Sequence, residues 1–319
     1  MVVSVRVLVV GGGALGQVFG LRLAQAGGQV SYLVKPGQSG WQREGRVVYR
    51  LRRTGPPVAR RLVPERVFTS PAETAGQDWD AVWLCVPSTV LTGPWVDELR
   101  DHVGAATVVL IGQDSQDLPT LRRVWPVEQI VQAVPTLLAY AAPLADEPLP
   151  EPGIAHWVPP GAAVAVSGAR ERVDPVVRAL RRGGLRARNA GPVGTGDALA
   201  ALMVPHLAAL EIADWSVPAL LANPRPGAAA AREATAVVAA LHGRRPPAAV
   251  VTAPWLASLA FRLLPVLAPF DVPRYLRAHF TKVAAQNRLM LDGWIAAGRA
   301  RGLPVDQLRR LRQALPAVG

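Results

Sequence analysis

Apolar and polar positions alternate with two different rhythms along this chain of 319 residues. In the first half, short apolar runs recur between stretches of helical spacing. Residues 5–10, 29–34, 80–86, 107–111, 129–134 and 162–167 each read as a buried strand. Helical spacing covers 14–26, 89–102 with an interruption at Pro94, and 170–182. Strands separated by helices predict an α/β domain built on a parallel, doubly wound sheet. The rhythm changes near Gly183-Gly184, and 191–196 reads as a connector. From Asp197, an expected N-cap, the spacing is helical over 197–204, 228–242 and 275–301. The pattern predicts a first domain over 1–191 and an all-helical second domain over 192–319.

The first strand runs directly into Gly11-Gly12-Gly13-Ala14-Leu15-Gly16, and a helix follows at once. Strand, glycine turn, helix and second strand form the fingerprint of a Rossmann-type dinucleotide site. Gly11 is expected to permit the tight turn, Gly13 to let a pyrophosphate approach, and Gly16 to let the helix pack closely. The helix N-terminus then offers unpaired N–H groups to the phosphates. The second strand ends without an acid for a ribose 2′-hydroxyl. Lys35 stands there instead, a point charge suited to the extra phosphate of NADP. It is one of only two lysines, the other being Lys282. In doubly wound sheets the ligand lies past the carboxyl ends of the strands. That places Pro87, Gln113 and Asp114 with the glycine turn and Lys35 as expected cofactor contacts.

Composition narrows the function classes. Half the residues are hydrophobic and 18% are charged, which excludes a disordered chain. Thirty prolines and 29 glycines are spread without a repeat, which excludes a collagen-like or linker-like one. The net charge of +12 raises nucleic acid as a partner. The arginines are scattered over 43–66, 170–188 and 299–312 with few aromatics among them, so the charge reads as solubility and attraction for an anionic cofactor and a small-molecule substrate. No nucleic acid partner is expected. The single cysteine, Cys85, excludes an internal disulfide and fits a reducing, cytoplasmic setting. With a strand beginning by residue 5, no signal peptide is expected. Residues 248–270 are long and apolar enough for a membrane check. Pro254, Pro265, Pro269 and Arg262 interrupt them, so a buried, proline-interrupted helix is expected and no membrane partner.

Over residues 4–40 the chain resembles the ketopantoate reductase (2-dehydropantoate 2-reductase) family, and the similarity is traceable to about residue 310. The resemblance implies a Rossmann domain followed by a helical domain, and reduction of a small 2-keto acid with NADP(H). Lys35 matches the family's basic residue for the 2′-phosphate. Pro152-Gly153-Ile154 with Gly161 resembles the end of its first domain, and 286–304 resembles its last long helix and following turn. The family's catalytic residues are not matched. Pro87 stands where a lysine is usual, and Asp114-Ser115 where Asn-Gly is usual. The helical-domain lysine and asparagine fall near Ala201 and Pro205, in a region without lysine. The family's glutamate falls at Gln286, which hydrogen-bonds but cannot ionise.

Reduction of a carbonyl needs a proton donor and, for a keto acid, a cation for the carboxylate. His279, Lys282 and Gln286 are spaced i, i+3, i+7 and share one helix face, with Tyr275 one turn earlier. Lys282 would bind the carboxylate or donate a proton. The alternative is a solvated helix face. His206 and Glu211, after Pro205, are further candidates for the cleft. Their alternative is a capping or core role. His102, His156 and His242 read as loop or helix-end residues. No spacing suits a metal. Two functions follow: an NADPH-dependent reductase of a small carbonyl compound, or a non-catalytic NADPH-binding protein on the same fold. Oligomeric state stays open, with a homodimer as the assembly considered.

Overall fold

A computed structural model of the chain describes residues 5–41, 44–144, 147–191, 197–243 and 254–317. It forms two compact units, Met1–Gly112 with Asp117–Val193, and Gln113–Gln116 with Gly194–Gly319. In the first unit, β1 (Arg6–Val10), α1 (Ala14–Gln25) and β2 (Gln29–Leu33) follow the predicted order. They are succeeded by β3 (Arg46–Arg50), β4 (Val58–Leu62), β5 (Val67–Phe68), β6 (Ala81–Leu84), α2 (Trp95–Val103), β7 (Thr107–Leu110) and α3 (Asp117–Leu121). Then come β8 (Ile130–Val134), β9 (Leu138–Ala142), β10 (Gly153–Trp157), β11 (Val164–Ser167), α4 (Arg170–Arg182) and β12 (Ala187–Asn189).

Eight strands form one sheet in the order β12-β11-β8-β7-β6-β1-β2-β5. Period-2 alternation sorts its residues between two apolar layers. Val7, Val9, Tyr32 and Trp83 join one buried cluster with Phe19 of α1 and Val177 of α4. Leu8, Val10, Val82 and Leu84 join another with Leu99 of α2 and Trp125. Both faces are covered, so the strands read as continuous apolar runs.

Four features correct the sequence reading. The sheet is parallel from β5 to β8, but β11 runs antiparallel to β8 and carries β12 with it. A second sheet, β4-β3-β10-β9, lay outside the prediction. Its β4 is Val-Ala-Arg-Arg-Leu with three exposed positions, and one buried face in five residues is too weak a signal to read. The helix expected over 89–102 is a short 3₁₀ turn at Ser88–Val90 followed by α2, which starts just after Pro94. His156, read as a loop or helix-end residue, lies in β10 with 1% of its surface exposed.

The second unit is helical throughout its described residues: α5 (Asp197–Ile212), α6 (Val217–Ala222), α7 (Arg225–Leu241), α8 (Pro254–Leu267), α9 (Val272–Lys282), α10 (Ala284–Arg299) and α11 (Asp306–Ala314). Small residues bring α5 and α7 close: Ala201, Ala208, Ala230 and Ala234 are fully buried, and a Cβ on Gly227 would stand 3.3 Å from the His206 Cα. Asp271 caps α9 by accepting from the Arg274 N–H at 3.0 Å. The stretch expected over 275–301 is two helices. Val283 leaves helical geometry at φ −104° and ψ 14°. Thr281 and Val283, both stiff at χ1, flank Lys282 at the break. Helix α8 is also not the buried element expected. Phe261 is buried, while Leu263 and Val266 are 44% and 66% exposed. Residues 248–253 lie outside the described residues, and no helix among those described is long and apolar enough to cross a membrane.

Candidate functional site

The glycine turn owes its shape to contacts that side chains would destroy. Gly11 takes φ +101°, where L side chains are strained, and a Cβ there would lie 2.6 Å from the Cys85 carbonyl oxygen. Its N–H donates to the Leu33 carbonyl at 2.9 Å, tying the turn to β2. A Cβ on Gly16 would run into the Gly11 carbonyl oxygen and approach the Cys85 Cβ at 3.4 Å. The Tyr32 hydroxyl donates to the Gly16 carbonyl at 2.8 Å, in space that a side chain at Gly20 would fill. Burial pushes the Tyr32 phenol well above its ordinary range, so it stays a neutral donor.

Gly13 differs from its neighbours. A Cβ there would meet nothing within 4 Å. It is the N-cap residue of α1, with no capping side chain and no acid in the first turn. The positive end of the helix, with the N–H groups of its first turn, therefore faces open space. Those features fit a pyrophosphate lying over Gly12, Gly13, Ala14 and Leu15. Gln17 Nε2 donates to the Gly12 carbonyl at 2.7 Å and steadies the turn from inside. Lys35 is exposed two residues beyond β2, and its carbonyl accepts from the Gln38 N–H at 2.8 Å. Pro87 is exposed at the start of the turn after β6. Beneath it, the Ser88 hydroxyl donates to Asp117 Oδ2 at 3.0 Å, a buried contact without sequence signature.

In the second unit most polar candidates are already engaged. His206 is 2% exposed, in the contact between α5 and α7, with Nδ1 2.9 Å from the Leu202 carbonyl. Its Nε2 has no partner among the described residues, and burial lowers its pKa. A neutral ring that spends Nδ1–H on the backbone can accept at Nε2. Glu211 is bound by Arg288, with Nη2 at 2.7 Å, and both side chains are about nine-tenths buried. Arg288 also donates to the Ala284 and Pro316 carbonyls, so the pair locks α10 and the C-terminal segment to α5. The stripe of His279, Lys282 and Gln286 is broken by the turn at Val283. Lys282 is exposed as the last residue of α9, and Gln286 is half-buried in the first turn of α10. His279 stacks on Tyr275 with ring centres 5.3 Å apart. Burial, helped by the Lys282 charge, lowers its pKa to about 4, which leaves a neutral ring at pH 7.

Asp114, expected as a cofactor contact, is a buried residue. Gln113–Gln116 leaves the end of β7 and belongs to the helical unit. Asp114 is 2% exposed; its Oδ1 accepts from the Gln116 N–H at 2.9 Å, and its Oδ2 has no partner among the described residues. Burial raises its pKa, the Gln116 hydrogen bond opposes the rise, and Asp197 adds to it. Asp197 in turn lies 2.9 Å from His242 Nε2. Sequence spacing could not join positions 114, 197 and 242. Among the described residues no group of side chains has the makings of a metal site.

Residues 7–143 match the family model described as "Ketopantoate reductase PanE/ApbA". No curated protein matches the sequence. Solved structures share the fold over nearly the whole chain. The 2-dehydropantoate 2-reductase from Methylococcus capsulatus has a TM-score of 0.71 at 18% identity, covering 97% of this chain and 95% of that one. The 2-dehydropantoate 2-reductase from Geobacter metallireducens GS-15 has a TM-score of 0.73 at 14% identity, covering 98% and 99%. A D-mandelate dehydrogenase in a ternary structure with NADH and anilino(oxo)acetate has a TM-score of 0.72 at 15% identity, covering 97% and 96%.

Proposed function

We propose that the protein, whose residues 7–143 match the ketopantoate reductase PanE/ApbA model, is an NADPH-dependent reductase of a small 2-keto acid or related carbonyl compound. The observation that carries this reading is the uncapped N-terminus of α1, facing open space at Gly13, with Lys35 beyond the adjacent strand. The Gly11–Gly16 turn would hold the pyrophosphate and Lys35 the 2′-phosphate, with Pro87, Gln113 and Asp114 completing the cofactor contacts. The bound nicotinamide would supply a hydride. Lys282 would bind the substrate carboxylate or donate the proton to the developing alkoxide: it is exposed and has no acidic partner among the described residues. Gln286 would hydrogen-bond substrate or ribose, and His206, held neutral, would accept rather than donate.

A second reading, a non-catalytic NADPH-binding protein, is favoured by the other half of the site. Where the family has its helical-domain lysine, α5 presents a region without lysine, and Ala201 there is completely buried. Losing one transition-state contact costs a factor of about 100–1000 in turnover, so weak or absent ketopantoate reduction is expected. NADPH oxidation measured against a panel of 2-keto acids, ketopantoate included, separates the two. Turnover of any member supports the reductase. NADPH binding with no turnover supports the second reading. Absence of NADPH binding overturns both. Ketopantoate turnover near 10 per second, a typical enzyme value, would show that another group replaces the missing lysine.

A further inference from the structure

A cavity lies at the far edge of the large sheet from the glycine turn. It measures about 510 Å³ and is lined in part by Arg181, Gly184, Leu185, Arg186, Ala187 and Arg188. Its floor is apolar, since Leu185 and Ala187 are 3% and 4% exposed. Arg181, Arg186 and Arg188 each contribute to the lining. Residues 178–188 hold five arginines and no acid. Arg61, Arg170, Arg274, Arg277, Arg288, Arg309 and Arg312 each have a carboxylate within ion-pair distance, but Arg181, Arg186 and Arg188 have none among the described residues. Arg181 is held in place: its Nε donates to the Ala187 carbonyl at 2.8 Å, which leaves its two terminal nitrogens to face a ligand.

The backbone adds to this arrangement. Strand β12 ends the sheet and pairs only with β11. The Arg186 carbonyl and the Ala190 N–H are spent on β11, with Val164 and Val166. By the parallel ladder, Arg188 bonds inward as well, so the N–H groups of Ala187 and Asn189 point out of the sheet. Outward N–H groups and exposed arginines therefore lie beside a cavity whose lining is mainly apolar.

We propose that this cavity binds a small organic oxyanion, a carboxylate or phosphate ester carrying an apolar or planar body. Planar guanidinium forks suit an oxyanion, and they stack on flat groups. The volume falls in the range of small-molecule sites. An added peptide strand fits less well, because β12 is three residues long and Arg181 already occupies the Ala187 carbonyl. A second copy of this edge would bring like charges together. The site is separate from the dinucleotide site: β12 and β1 are five strand spacings apart, roughly 24 Å at the usual interval.

Calorimetric titration of the full chain with phenyl phosphate tests the proposal, with inorganic phosphate and phenol as controls. Phenyl phosphate should bind at least about tenfold more tightly than either control, the factor that about 1.4 kcal/mol produces. Binding should weaken by about 100-fold in the double variant Arg186→Gln/Arg188→Gln, at about tenfold per lost charge-assisted contact. Both residues are exposed, so folding should be retained, and an unchanged melting temperature checks this. Gly13→Val, which removes dinucleotide binding in the reading above, should leave phenyl phosphate binding intact. No binding, or equal binding of inorganic phosphate, overturns the proposal. So does full affinity in the double variant, or loss of affinity in Gly13→Val, which would place the probe at the glycine turn.

Discussion

The turn at Gly11–Gly16 and the helix ends around Lys282 both looked like sites in the sequence, and they fold by opposite logics. In the turn, each residue acts on backbone within a few positions or on the adjacent strand: Gly11 on the Cys85 carbonyl, Gly16 on Gly11 itself. Its geometry is closed by local rules. Around Lys282 the periodicity ran on through Val283, but the helix did not. Other polar residues of this unit are sorted by partners far away in sequence, Glu211 by Arg288 and Asp197 by His242. A motif made of backbone constraints can be read from one stretch of chain, whereas a site made of side chains converging from several helices cannot.

The sharpest way to break that contrast is at the two glycines. Gly16→Val should disrupt the turn, lower stability by about 1–3 kcal/mol or more through overpacking, and abolish nucleotide binding. Gly13→Val should leave the apo melting temperature unchanged and still abolish binding, because the side chain enters only the open space. Thermal unfolding with and without NADPH distinguishes them; equal destabilisation by both would refute the division of roles.

In the helical unit, Glu211→Ala should cost about 3–5 kcal/mol, since it leaves the Arg288 guanidinium buried and uncompensated. Arg288→Met, which removes the charge and keeps bulk, should lose stability through the Ala284 and Pro316 carbonyls it releases. Denaturant titration reads both. A loss below about 1 kcal/mol for Glu211→Ala would place the pair among surface ion pairs.

The first unit carries its own long-range pair. Arg22 Nη2 lies 2.9 Å from His156 Nε2, and both side chains are buried. Burial, and then the Arg22 charge, lower the His156 pKa to about 3. The folded value lies below the unfolded value of about 6.5, so the unfolded chain binds the extra proton. Stability from this residue is complete above pH 6.5 and declines as pH falls towards 3, by an amount on the order of a few kcal/mol. The acid limb of the stability profile should flatten in His156→Gln. An unaltered limb would show that carboxylates alone govern it.

Smaller effects test the proposed chemistry. Lys35→Asp should weaken NADPH by about 1.5–3 kcal/mol, one charge-assisted contact, with little change for NADH. Equal affinity of the parent for both cofactors would remove the NADP assignment. Lys282→Met should change stability by no more than about 0.5 kcal/mol, as for an exposed residue, while turnover falls. An unchanged rate would return Lys282 to a solvated helix end.

Much of the first unit was legible because buried strands and glycine turns leave dense local signals. Val7 to Val10 must be apolar where both faces of a sheet are covered, and Gly11 must lack a side chain where φ is positive. Strand β4 gave no such signal, since a short strand with three exposed positions resembles a loop. Helix existence in the second unit was legible from apolar spacing, but its ends were not. The break at Val283 interrupts the helix without interrupting the periodic pattern.

Local covalent and steric rules let the sequence by itself determine the strand–turn–helix at the N-terminus, the α/β-then-helical order and the cation beyond the second strand. Only the tertiary structure decided which polar groups are held and which stand open. It buried Arg22 against His156 and Glu211 against Arg288, and it left Lys35, Lys282, Arg186 and Arg188 exposed. The reason is that a charge takes its meaning from dielectric and partners. Both are properties of the space around a residue, assembled from segments up to 161 positions apart, as Arg22 and Gly183 are.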